Sequence, residues 1–352
     1  MKVALVTDTH AGVRNDLECL KNHQNNFWIN EFFPELKKRG ITEIIHGGDF
    51  FDKRQYITLK TMENTKNVFQ QLLHDYDIHM TMILGNHDVL YRNTNNINSP
   101  ENIFGKDPHV TIINEPTVVH DNILLVPWIN KENYTKSINA INDSKEKYCY
   151  GHFEINGCEM HKGTVATDGL LPSTFNKFEK VFSGHFHTQS KTGNIQYLGS
   201  PFEMTWNDFN DPRGWHIFDT ETGHLEYIPY EESMFFKVEY DSKDNSRSWI
   251  PYKPVDLSGK FVKVVVTIKD SHYDFDMWLK RIQSYVPQEL QIFDNNVSID
   301  GVAFDIADMS EGLSNLEIIE SKIDSLSDST YSAREKSVIK NKMNELYSEA
   351  EI

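Results

Sequence analysis

Short apolar runs alternate with helix-spaced apolar positions over the first two-thirds of the chain. Val3–Val6 is a four-residue apolar run and reads as a buried strand. From Asp16 to Lys38, Leu17, Leu20, Trp28, Phe32 and Leu36 recur at helical spacing. Pro34 is expected to kink that helix, because it lacks an N–H. Ile41–Ile45 predicts a second strand, Leu59 to Leu73 a second helix and Ile78–Leu84 a third strand. This β-α-β-α-β order predicts a sheet with helices packed on it. Tyr91–Asn102, rich in asparagine and holding Pro100, reads as a loop. Further strands are predicted at Ile123–Val126, Tyr148–Tyr150, Lys180–Phe182, Ile195–Leu198 and Trp215–Phe218, with a helix over Asn133–Lys147. Short turns join the later strands, which an all-parallel sheet cannot use. The expected class is therefore α/β, with two stacked mixed β-sheets flanked by helices.

The pattern shifts after Glu232. Strands are predicted at Phe235–Tyr240, Phe261–Ile268 and Leu290–Phe293, with a helix over Phe275–Tyr285. We expect residues 1–230 to form the main domain and 231–305 a small α+β cap domain. Over 306–352, Leu313, Leu316, Ile319, Ile323 and Leu326 make one apolar stripe, and Ile339, Met343, Leu346 and Ala350 another. Ser314 with Glu317, and Ser332 with Glu335, fit the capping-box spacing. A C-terminal helical hairpin follows. It either folds back on its own domain or offers its apolar face to a partner. No internal repeat is evident.

Composition narrows the picture. With 352 residues the chain has room for two or three domains at about 150 residues each. No apolar stretch nears the roughly 18 residues of a membrane span, and Asp8 ends the opening apolar run too early for a signal peptide. Three cysteines, Cys19, Cys149 and Cys158, form no C-x-x-C pair. That sparse set suits a reducing cytoplasm and argues against a disulfide framework or a thiolate zinc site. The charge is 35 − 52 = −17. Such acidity excludes coating nucleic acid by charge alone, though not meeting it through a small local site.

The candidate chemistry lies at strand ends. Five motifs fall there: Asp8-x-His10, Gly48-Asp49-x-x-Asp52, Gly85-Asn86-His87-Asp88, Gly151-His152 and Gly184-His185-Phe186-His187. Ligands of α/β sheets gather beyond the carboxyl ends of strands, so each motif delivers polar groups to one rim. Two aspartates, one asparagine carbonyl and four imidazoles form a mixed oxygen–nitrogen set. All-oxygen sites favour Mg²⁺ or Ca²⁺, and thiolate-rich sites favour Zn²⁺. This set suits Mn²⁺, Fe²⁺ or Zn²⁺. Seven ligands exceed what one open ion accepts but suit two ions sharing a carboxylate. Ions roughly 3.5–4 Å apart can clamp both oxygens of a phosphoryl displacement. Lys53, Arg54 and Arg92 follow these motifs closely enough to contact DNA phosphates. His46, His161, His216 and His224 lack ligand spacing and read as structural, and Trp206 and Phe209 as packing residues.

In this order the five motifs resemble the calcineurin-like metallophosphoesterases. The fuller resemblance is to their SbcD / meiotic-recombination-eleven nuclease branch, most of all to the recombination nuclease subunits of T-even-like phages. Gly48-Asp49-Phe50-Phe51-Asp52, Tyr197-Leu198-Gly199-Ser200-Pro201 and Asp211-Pro212-Arg213-Gly214 support that branch. The motifs cover residues 1–230; the rest is similar only in layout. The resemblance implies a first metal held by Asp8, His10, Asp49 and His187, and a second by Asp49, Asn86, His152 and His185, with Asp49 as bridge. It implies that His87 protonates the leaving sugar oxygen and that Asp88 orients the His87 ring and raises its pKa. Asp52 stands where some members carry histidine, so a supporting hydrogen bond is the role expected of it.

The implied activity is a two-Mn²⁺ DNA nuclease, a double-strand exonuclease and single-strand endonuclease of recombination and repair, with Mg²⁺, Fe²⁺ or Zn²⁺ as substitutes. The implied partners are DNA, a second copy of the chain and an SbcC/Rad-fifty-type ATPase that meets the C-terminal helices, all in the cytoplasm, the host's for a phage protein. Two other readings stand beside it: a phosphomonoesterase or cyclic-nucleotide phosphodiesterase built on the same core, and a non-catalytic scaffold. Decay to a scaffold should delete ligands, and here every position is filled.

Overall fold

A computed structural model describes residues 1–161, 163–243 and 256–294, with the isolated positions 323, 336, 339 and 340. The helical hairpin expected over 306–352 lies outside the described residues, apart from Ile323, Lys336, Ile339 and Lys340, which are helical. The chain divides into two compact units. The first comprises Met1–Phe236, Leu257–Val262 and Val286–Glu289, and the second Lys237–Asp256, Lys263–Tyr285 and Leu290–Ile352.

The strands of the first unit are β1 (Lys2–Val6), β2 (Glu43–His46), β3 (His79–Ile83), β4 (Val110–Ile113), β5 (Thr117–Val119), β6 (Ile123–Val126), β7 (Tyr148–His152), β8 (Glu159–His161), β9 (Thr164–Val165), β10 (Lys180–Gly184), β11 (Ser190–Thr192), β12 (Ile195–Tyr197), β13 (Gly214–Asp219) and β14 (Leu225–Pro229). One six-stranded sheet has the order β14-β13-β1-β2-β3-β4 and the other β11-β12-β10-β7-β6-β5. In each, four strands run parallel: β1 to β4 in the first, and β12, β10, β7 and β6 in the second. Antiparallel strands occupy the remaining places, so both sheets are mixed as expected.

The apolar runs are unbroken because both faces of each sheet are covered. Val3, Leu5, Ile45 and Ile83 meet Leu125, Tyr150 and Phe182 between the sheets. The alternate residues Ala4, Val6, Ile44, Met80 and Met82 pack outward on Leu20, Phe27, Trp28, Phe33, Phe69 and Leu73 of the helices. On the far side Leu124, Val126, Cys149 and Val181 pack with Ile141 and Phe175.

The helix expected over Asp16–Lys38 spans Glu18–Asn26, a π-helical stretch Phe27–Phe32 and Phe33–Arg39. The π turn precedes Pro34, where the N–H is lost, and takes the place of the expected kink. The segment read as a loop to Asn102 contains a helix, Ser99–Phe104. Asn98 caps it by accepting the Glu101 N–H at 2.8 Å, and Pro100 sits in its first turn, where its missing N–H costs nothing. The helix expected over Asn133–Lys147 is shorter, Tyr134–Asp143.

The second unit, with the strand ends that lead into it, carries a three-stranded sheet of order β15 (Phe235–Asp241), β16 (Phe261–Ile268), β17 (Glu289–Asp294). Its helix His272–Ser284 is capped by Ser271 and buries Phe275, Trp278 and Ile282 at i, i+3, i+7 spacing. Tyr240 of β15 packs its ring on Phe275 and Trp278 at 4.9 and 5.0 Å.

Candidate metal centre

Five strands end at one rim. Asp8 and His10 follow β1, Asp49 follows β2, and Asn86 and His87 follow β3; His152 closes β7, and His185 and His187 follow β10. The turns there are tight. Asp8, His10, Asp49 and His185 have φ of 53°, 43°, 52° and 87°, in the left-handed region that side chains avoid. At φ 94°, Gly48 lies so close to the next strand end that a Cβ would meet the Gly85 nitrogen at 2.6 Å and His152 Nδ1 at 2.8 Å. A Cβ on Gly85 would collide with the Asp49 carboxylate.

Two donor groups result. Asp8, His10 and His187 form one, and Asp49, His152 and His185 the other, the ligand atoms of each lying within 4.8 Å of one another. His10 Nε2 faces His187 Nε2 at 3.0 Å. Asn86 Oδ1 joins the second group, 3.0 Å from His152 Nε2 and 2.8 Å from His185 Nδ1. Asp49 Oδ2 reaches toward both, 3.3 Å from His152 Nε2 and 3.9 Å from His10 Nε2.

The donor chemistry fits divalent cations. His152 Nδ1 donates to the Gly47 carbonyl at 2.8 Å, so its neutral ring turns a lone pair on Nε2 toward the oxygens of Asn86 and Asp49. Acceptors facing acceptors in a buried site call for positive charge between them. With protons alone to supply it, burial opposes the imidazolium, yet the Asp49 carboxylate carries His152 up to about 9. Burial likewise opposes charge on His10, and Asp52 and Asp49 raise it to about 9. Resident metal ions would be held by these seven side chains.

The surroundings depart from expectation at Asp88. Its carboxylate does not orient His87. It accepts the N–H groups of Asp49 at 2.7 Å, Gly85 at 2.9 Å, Phe50 at 3.1 Å and Phe51 at 3.2 Å, and so holds the turn that carries Asp49. His87 Nδ1 instead meets the Asp52 carbonyl at 2.6 Å. Burial lowers the His87 pKa, with Asp49 acting in the opposite direction, so the expected rise is also corrected. The Asp52 carboxylate lies 3.5 Å from His10 Nδ1 and turns Nε2 of that ring toward His187.

His46 is fully buried, accepting from the Gly48 N–H at 3.2 Å with Nε2 3.1 Å from the Thr9 hydroxyl. His216 is buried against the Tyr227 ring, and His224 is exposed at a turn. Trp206 packs on Phe235, as expected of a packing residue. Lys53 Nζ is engaged by Asn15 and the Tyr56 hydroxyl. Arg54 is half-buried and Arg92 exposed, and among the described residues neither has a carboxylate within ion-pair distance. Burial and the Arg92 charge lower the Arg54 pKa.

Sequence reasoning missed three supports. Gln24 donates to the carbonyls of Thr9 and His10 at 2.9 and 3.3 Å, bracing the strained backbone there. Trp128 lies 5.9 Å from the His152 ring and 5.4 Å from that of His185. Arg213 donates to the His187 carbonyl at 2.6 Å. The Asp211–Gly214 string was the one visible sign of any of them.

Comparison with known proteins shows the family. Residues 1–189 match the family described as calcineurin-like phosphoesterase. The chain is 35% identical over 354 residues to exonuclease subunit 1 of Enterobacteria phage T4, covering 99% of each. It is 21% identical over 365 residues to the SbcD component of the SbcCD nuclease of Staphylococcus epidermidis, covering 90% of this chain and 89% of that one. The family match spans more than half the chain and contains every candidate donor of the two groups, from Asp8 to His187. The chain thus belongs to the calcineurin-like phosphoesterases, as a metal-dependent hydrolase related to SbcD-type and phage exonuclease subunits.

Proposed function

We propose that this chain is the nuclease subunit of a DNA recombination and repair complex, hydrolysing DNA phosphodiesters with two Mn²⁺ ions. The observation that carries the reading is the meeting of two largely buried donor groups near Asp49, in a chain 35% identical along 99% of its length to a phage exonuclease component. When bound, the two cations would neutralise phosphoryl oxygens and acidify water. The chain's own residues do the rest. Asp8, His10 and His187 would hold one ion, and Asn86, His152 and His185 the other, with Asp49 reaching toward both. His87, fixed through Nδ1 by the Asp52 carbonyl, offers Nε2 as the proton donor to the departing sugar oxygen. Arg54 and Arg92, cations without a carboxylate among the described residues, and Lys53 contact DNA phosphates.

The same reading assigns residues 1–230 to the nuclease domain, 231–305 to a capping and DNA-recognition domain and 306–352 to ATPase binding. A homodimer with an SbcC-type ATPase, in the cytoplasm, completes it. Among the described residues no helix is long and apolar enough to cross a membrane.

The direct test compares Mn²⁺-dependent digestion of linear duplex DNA with hydrolysis of a small aryl phosphate. We expect the DNA to be degraded and chelation to stop it. Turnover confined to the aryl ester would replace this reading with a phosphomonoesterase. Deleting 306–352 should abolish capture of the partner ATPase while both metals still bind. A complex that survives the deletion would return those helices to their own domain.

A further inference from the structure

Arg213 is 4% exposed and stands just before β13, far in sequence from every metal donor of the first group. Its guanidinium is gripped from one side. Nη2 pairs with Asp208 Oδ1 at 2.9 Å and Asp211 Oδ2 at 2.8 Å. Asp208 is itself fixed, because its other oxygen accepts the N–H groups of Met204 and Thr205, both at 2.8 Å. From the other side, Nη1 donates to the His187 carbonyl at 2.6 Å and to the Ser200 hydroxyl. The Ser200 N–H reaches that same carbonyl at 3.0 Å. Gly199, at φ 72°, comes close enough that a Cβ there would lie 2.8 Å from it. The Tyr197–Pro201 and Asp211–Gly214 strings therefore converge on one backbone oxygen.

A buried ion pair of this kind is weak evidence for stability, since desolvating the charges offsets much of their attraction. Its geometry has a clearer use. His187 follows the strained turn at His185 and carries its ring to within 3.0 Å of His10 Nε2. The carbonyl and the Cβ share one Cα, so clamping the carbonyl sets the direction from which the imidazole leaves the backbone. A planar fork with two donor edges can hold two carboxylates and a carbonyl together; a lysine ammonium cannot hold that plane.

We propose that Arg213 is a positioning residue for the metal centre: locked by Asp208 and Asp211, it fixes His187 and so sets the affinity of the Asp8–His10–His187 half. The proposal rests on the reading of that group as a metal site. Supporting partners one layer out from a metal typically contribute 10–100-fold in affinity.

The test is Mn²⁺ titration calorimetry of the full chain without DNA. The step lost in His187→Ala identifies the ion of that half. In Arg213→Lys that step should weaken by about 10–100-fold, with the other ion held within a few-fold. Arg213→Lys combined with His187→Ala should bind metal no worse than His187→Ala alone, because the arginine acts through the histidine. Should Arg213→Lys fail to fold, Asp211→Asn, which leaves the Asp208 pair intact, should show the same selective loss to a smaller degree. Equal weakening of both ions, or losses that add in the double variant, would reduce Arg213 to a general structural role. A wild-type chain that takes up fewer than two ions would instead refute the metal-site reading; two ions in wild type, both undisturbed in every Arg213 and Asp211 variant, would refute only the role of Arg213.

Discussion

Asp49→Asn is expected to strip both metal ions at once and to end turnover. The substitution is close to isosteric. Asp49 Oδ1 accepts the His87 N–H at 2.7 Å, and an amide oxygen can still do so. What is lost is charge at Oδ2, which lies between His152 Nε2 and His10 Nε2 and belongs to neither half alone. Affinity should fall by more than about 100-fold for both ions, since even the partners behind a ligand contribute 10–100-fold. Loss of one ion with retention of the other would show that Asp49 serves a single site. The metal-free protein gives an independent readout. Burial works against charge on His10 and His152, and carboxylates including Asp49 lift both to about 9. A histidine raised in the folded state stabilises the fold below its unfolded value near 6.5, and that contribution is lost as pH rises through about 9. The metal-free wild type should therefore lose melting temperature between pH 6.5 and 9, and Asp49→Asn should flatten that slope. A slope unchanged by the substitution would mean that the lifting charge lies elsewhere.

The side chains that converge at the rim were legible as candidates because each sits in a short motif at the end of an apolar run, usually behind a glycine. That glycine is needed where strand ends crowd, as Gly48 and Gly85 do. The central strands were legible for a related reason. With both faces buried, as at Val3–Val6 and Ile123–Val126, they read as unbroken apolar stretches. Edge strands lack that signal. Ser190–Thr192 and Leu225–Pro229 are partly exposed and mixed in character, and neither was anticipated. The Ser99–Phe104 helix was overlooked although Asn98 and Pro100 mark its start, because the asparagine-rich stretch before it outweighed them. Asp88 failed for another reason. Its neighbour in sequence is His87, but its neighbours in space are the amides of residues 49–51, which only the folded turn brings to it. Gln24 and Arg213 act on backbone carbonyls, and even the Asp211–Gly214 string that holds Arg213 does not show which carbonyl it reaches.

His87→Ala should lower turnover of DNA by roughly 10²–10⁴ while both ions still bind. The side chain touches the centre from outside the donor sets. Its Nδ1 meets the Asp52 carbonyl, and its ring lies 5.0 Å from that of His10, edge to face. The backbone N–H that serves Asp49 survives in alanine. The Nδ1 contact fixes which nitrogen does the work, for a ring that donates there keeps Nε2 for the proton it will deliver. Burial lowers the ring's pKa, which makes the protonated form scarcer at neutral pH but a readier donor. Leaving-group chemistry separates this role from simple damage. A sugar alkoxide needs a proton to depart, whereas nitrophenolate departs without one. The deficit of His87→Ala should therefore shrink to within about tenfold on a nitrophenyl phosphodiester of thymidine, since little general-acid help remains to be lost. An equal deficit on both substrates, or loss of metal in step with activity, would remove His87 from the acid role and make its contact with His10 the reason for its presence.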